Sequence, residues 1–166
     1  VFAYVGGCLA VLLFFSKLSN YFGRKITVIL ALAVGIASCL CFIDPHNASA
    51  LILGRLLQGV FAGLVTSAAM SWTVDTAPKS HVWLGTALSA AGPGIGFIFG
   101  TVLSGLSAET GIISGDTLFI GLAVTLAVVL AAAIPAVETM RPGAMSLISA
   151  LTPSFGIPPV SYTHLT

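Results

Sequence analysis

Five apolar runs constrain this chain more than any other feature; they lie at about residues 1–16, 26–43, 51–73, 82–106 and 117–137. Crossing a bilayer core takes roughly 20 helical residues, and runs on that scale have few other uses. The composition points the same way, with 57% hydrophobic and only 7% charged residues, against about 25% charged in ordinary soluble domains. So few charges could not cover a water-facing surface, which excludes a soluble globular fold. A net charge of +1 offers no basic face for nucleic acid. Inside lipid every backbone polar group must be satisfied within its own segment, so apolar runs of this length read as helices. The expected fold class is all-α, a polytopic transmembrane helical bundle.

The segments between the runs fix its orientation. Lys17, Arg24 and Lys25 lie between runs one and two, Lys79 between runs three and four, and Arg141 after run five. The alternate loops, 44–50 and 107–116, hold Asp44, Glu109 and Asp116 but no Lys or Arg. By the positive-inside rule the first set faces the cytoplasm. The chain opens without Met or a basic stretch, so its first run reads as the cut end of a longer helix rather than a signal peptide, and a fragment is expected. Asn47-Ala48-Ser49 is a glycosylation sequon in form, but its loop is short and reads better as a turn helped by Asp44-Pro45. Residues 1–140 form the five-helix unit, and 141–160, with Pro142, Pro153, Pro158 and Pro159, read as the start of a cytoplasmic linker. The last six residues, 161–166, fit neither pattern and read as a non-native tail.

Three places hold residues that the apolar pattern does not explain. Gly23, Arg24 and Lys25 stand immediately before the second run. Glycine there takes a positive φ without steric cost, while the two cations suit anionic headgroups, an acidic partner or the negative end of a neighbouring helix. A plain topogenic charge cluster is the alternative. Arg55 sits about one turn inside the outer end of the third run, where an arginine costs up to about 2.5–3.5 kcal/mol and normally faces protein or water. Positions 55, 59, 63 and 67 share one helical face, so Arg55 is in line with Gly59, Gly63 and Ser67, a face expected to be packed. Gln58 is near enough to share its hydrogen-bond partners. Snorkelling to the headgroups is the alternative. In the fourth run Gly92, Gly96 and Gly100, with Pro93 beside the first, form a small-residue seam that permits close contact and bending, or ordinary packing. Cys8, Cys39 and Cys41 read as small packing residues; Cys39 and Cys41 diverge by about 200° on a helix and cannot share a metal. Neither a metal nor a cofactor is expected.

Taken in order, these segments resemble the major facilitator superfamily over roughly residues 1–140. The loop SKLSNYFGRK is similar to that family's motif between its second and third helices, with Leu18, Gly23, Arg24 and Lys25 matching; Ser16 stands in place of a glycine, and Asn20 in place of an aspartate. LILGRLLQGVFAG is similar to the fourth-helix motif through Leu51, Arg55, Gln58 and Gly59. GTALSAAGPGIGFIFG resembles the fifth-helix antiporter motif through Gly92, Pro93 and Gly96, with Phe97 in place of the final glycine.

The resemblance implies family helices two to six of a secondary transporter, integral to a plasma or organelle membrane. The chain would export a small organic solute by alternating access coupled to protons. Its partners would be that solute, protons, the bilayer, a preceding helix one and a second six-helix half. By resemblance Arg55, with Gln58 and Gly59, carries proton coupling and lines the pathway. Leu18, Asn20, Gly23, Arg24 and Lys25 form a cytoplasmic gate, while Gly63, Gly92, Pro93, Gly96 and Gly100 form helix-packing seams. A proton symporter or a uniporter for sugars or other nutrients is the alternative within the family, and a non-transporting scaffold or sensor is the alternative outside it. An intramembrane hydrolase is disfavoured, because His46, His81 and His164 all lie outside the apolar runs and cannot serve a serine at depth.

Overall fold

The computed structural model describes residues 2–15, 22–43, 47–111 and 113–139, without the side chains of Phe14, Phe15 and Lys79. Among the described residues five α-helices follow one another: α1 (Phe2–Ala10), which runs on as a π-helical turn over Val11–Phe15, α2 (Arg24–Cys41), α3 (Ala48–Thr76), α4 (Val82–Thr110) and α5 (Gly115–Ala133). Among the described residues there is no strand. The helices α2 to α5 are each long and apolar enough to cross a membrane, whereas the apolar part of the first, Phe2–Leu13, is shorter. At 1.5 Å per residue the 29-residue helices α3 and α4 reach about 43 Å, more than a roughly 30 Å hydrocarbon core, and so extend into the interfaces or tilt.

Polar caps set the helix ends where hydropathy alone is silent. Asn47 Oδ1 accepts the backbone N–H groups of Ser49 at 3.1 Å and Ala50 at 3.2 Å, which satisfies two donors that no helical carbonyl can reach. That starts α3 at Ala48, ahead of the apolar run, and gives the sequon asparagine a structural task. Ser114 Oγ accepts from the Thr117 N–H at 3.3 Å and starts α5 in the same way. At its far end α4 stops where Gly111 turns left-handed, φ 64°, and its N–H bonds Ser107 O. Pro93 is carried inside α4.

The centre of the bundle is α3, which packs against α1, α2 and α4, while α2 packs in turn against α5. Among the described residues the core has two parts. Val28, Leu32, Ala68 and Ala133 gather with Phe61, Trp72 and Leu126, and Val11, Ala31 and Leu64 form a second group. Between α1 and α3 the backbones themselves touch. A Cβ on Gly7 would lie 2.5 Å from Leu56 O, one on Gly59 would collide with Tyr4 O, and one on Gly63 would lie 2.8 Å from Val11 Cβ. Outward-facing side chains are large and apolar, as with Phe97 and Phe99 at 73% and 74% exposure, the arrangement a lipid solvent favours. Charge collects at the ends: Arg24, Lys25, Asp75 and Glu138 share one end of the bundle, and Glu109 and Asp116 belong to the other.

Candidate functional site

At the first of those ends the start of α2 is held by residues from two other segments. Gly23 takes φ 96°, a conformation favoured by glycine, and this directs the next two backbone N–H groups at one carboxylate. Glu138 Oε1 accepts from Arg24 N and Oε2 from Lys25 N, both at 3.0 Å. A carboxylate at a helix N-terminus meets both unsatisfied donors and the positive end of the dipole. The carboxylate lies close over position 23: a Cβ there would lie 2.5 Å from Glu138 Oε2 and would push it aside. Nearby, Trp72 Nε1 donates to Val137 O at 3.2 Å and ties the same segment to α3.

The Arg24 side chain, 17% exposed, turns the other way, towards the last turns of α3. It donates to Ser71 O at 2.8 Å and forms an ion pair with Asp75. Thus Arg24 meets an acidic partner and a backbone carbonyl of α3 at once, while Lys25 contributes its backbone N–H. Leu18 and Asn20, from the same sequence motif, lie outside the described residues.

At the opposite end Arg55 is exposed on α3. Its guanidinium donates to Gln58 Oε1 at 3.0 Å and lies 5.2 Å over the Phe42 ring. Among the described residues no carboxylate pairs with it. Gly59 and Gly63 continue that helix face and are buried against α1, and Ser67 is half-buried. The face is therefore packed along α1 and open at Arg55.

Gly92, Gly96 and Gly100 lie along the exposed surface of α4, and a Cβ on any of them would meet nothing within 4 Å among the described residues. Among the described residues, two clefts lie between this helix and its neighbours. One of about 480 Å³ is bounded by Tyr4, Met70, Thr73, Ser89, Gly92 and Pro93, among others. The other, about 440 Å³, lies between α4 and α5 and is bounded by Gln58, Gly100, Ser104 and Phe119, among others. Gln58 thus joins Arg55 to the second cleft. No cluster of three metal-ligating side chains occurs among the described residues, and the three cysteines are free thiols.

The sequence motifs do not contain Glu138 or Asp75. One signal was available, since positive-inside topology places both at the same membrane face as Arg24, where opposite charges find one another.

Comparison with known proteins returns one family. The model of the Major Facilitator Superfamily matches residues 1–162. An MFS efflux transporter of Emericella nidulans, inpD, is 36% identical over 106 residues, which is 63% of this chain and 19% of that protein. A probable multidrug-efflux transporter of Mycobacterium tuberculosis is 34% identical over 91 residues, 54% of this chain and 19% of its own length, in both strain CDC 1551 and strain H37Rv. The matched part thus spans about a fifth of the length of these relatives.

Proposed function

The chain belongs to the Major Facilitator Superfamily and is an integral multi-pass membrane protein, and on that premise we propose that it serves in proton-coupled export of a small organic solute by alternating access. The observation that carries the reading is Arg55. A guanidinium does not lose its proton in proteins, so a fixed cation on a membrane-spanning helix acts through its field. It lowers the proton affinity of any carboxylate brought near and attracts anionic groups of a solute. Gln58 sets its direction, and Gly59 lets α1 close against the same helix.

The remaining residues take roles that suit alternating access. Gly23, Arg24 and Lys25, with Leu18 and Asn20, form the cytoplasmic gate, in which the Arg24–Asp75 pair and the Glu138 cap break and re-form as helix ends part. The exposed seam of Gly92, Gly96 and Gly100, with Pro93, is the surface on which α4 slides or bends against further helices of the transporter. The outward direction is supported by the efflux activity named for the relatives.

The test is proton flux in proteoliposomes holding the reconstituted protein and a pH-sensitive dye. Arg55→Ala is expected to lower solute-driven proton flux at least about tenfold, equivalent to about 1.4 kcal/mol, while Arg55→Lys retains part of it. Flux unchanged in Arg55→Ala removes the assignment.

A further inference from the structure

The Arg55 guanidinium needs a holder, and among the described residues no acid supplies one. What lies beneath it is a ring. Phe42 closes α2, its N–H bonded to Cys39 O at 3.1 Å, and its side chain is only 7% exposed. It stacks on Phe119 of α5 with ring centroids 4.8 Å apart and planes 19° from parallel. The residue before Arg55 is Gly54, and the ring packs closely over it: a Cβ there would lie 3.0 Å from Phe42 Cζ, and the ring would have to give by a few tenths of an ångström. One turn inside, Ser38 Oγ donates to Gly54 O at 3.0 Å from a buried position and fixes α2 to α3 at this level.

From this arrangement we infer that Phe42, backed by Phe119 and seated over Gly54, is the positioning residue for Arg55. The inference rests on the reading above that Arg55 takes part in coupling. The face of an aromatic ring is its electronegative side and attracts a cation without neutralising it. Gln58 Oε1 binds one edge of the guanidinium and the ring covers its plane, so the group is held in place while its charge stays available. An acid in the same position would hold it as firmly but cancel the field that the coupling role needs. Since the two rings come from α2 and α5, relative movement of these helices shifts the platform and the arginine with it.

The test uses the full-length protein in nanodiscs with isotope-labelled arginine, Arg55→Lys serving to assign the signals. A guanidinium over a ring face has its side-chain protons shifted upfield by the ring current. That shift is expected in the native protein and in Phe42→Trp, and is expected to vanish in Phe42→Leu, which keeps apolar bulk but has no π face. In proteoliposomes Phe42→Leu is expected to lose about as much solute-driven proton flux as Arg55→Ala, and Phe42→Trp to restore it. Should Phe42→Leu fail to fold, pentafluorophenylalanine at position 42 keeps the shape while reversing the ring's polarity, and the same losses are expected. Arg55 signals that do not move in Phe42→Leu overturn the inference. So does full flux in Phe42→Leu where Arg55→Ala has lost it. A ring-current shift that responds to Phe42→Leu while Arg55→Ala leaves flux intact supports the platform and removes the coupling role instead.

Discussion

Gly23 carries more of the proposed gate's geometry than either cation beside it. Its φ of 96° with ψ of 153° is a conformation essentially confined to glycine and costs a residue with a Cβ about 2 kcal/mol, and the added methyl would also displace the Glu138 carboxylate from two backbone donors. Losing a helix cap costs about 1 kcal/mol more. Gly23→Ala is therefore expected to lower stability by about 2–3 kcal/mol in denaturant unfolding of the detergent-solubilised protein. Glu138→Ala, which removes the cap but leaves the backbone relaxed, is expected to cost about 1 kcal/mol. Equal losses in the two variants would mean that the turn itself carries no strain. The glycine was legible from the sequence, because a glycine before two basic residues and a helix calls for a turn. Glu138 was not, since it stands 114 positions from Arg24 and no local spacing connects them.

At the level of helices, glycines of one kind in sequence do two different things. Gly59 and Gly63 are pressed against α1, whereas Gly96 and Gly100 face open space among the described residues. A spacing of four marks both sets as candidate seams, and it cannot say which seam is filled, because that depends on the helix opposite. Gly59→Ala is expected to separate α1 from α3 and lower the melting temperature of the solubilised protein. Gly96→Ala meets no neighbour among the described residues and gains up to about 1 kcal/mol of helix propensity, so its melting temperature is expected to hold or rise. If the α4 seam slides during transport, Gly96→Ala nevertheless slows solute flux. A loss of stability in Gly96→Ala equal to that in Gly59→Ala would show instead that the seam is a static contact. Aromatic contacts divide in the same way: Phe42 and Phe119 lie in apolar runs where any phenylalanine fits, and only the antiparallel packing that brings α2 and α5 together gives the pair a role.

For the whole molecule, lipid is the constraint that makes hydropathy so informative. With no water to satisfy a broken backbone, apolar runs of this length leave the chain few options other than helices. Loop charge is then the signal for the proposed orientation, because Lys and Arg are generally held on the cytoplasmic side. The packing order, with α3 at the centre and α4 touching little besides it, is not legible in this way, since every run is nearly uniformly apolar and hides which face turns inward. Orientation itself is open to a direct test on the one helix α4. Ser80 precedes it, and Glu109 lies in its last turn, about 43 Å away along a straight helix at 1.5 Å per residue. In a variant lacking Cys8, Cys39 and Cys41, Glu109→Cys is expected to react with a membrane-impermeant maleimide added to intact cells. Ser80→Cys is expected to react only after the membrane is permeabilised. The reverse pattern would invert the bundle, move Arg24, Asp75 and Glu138 to the outer face, and end the reading of that cluster as a cytoplasmic gate.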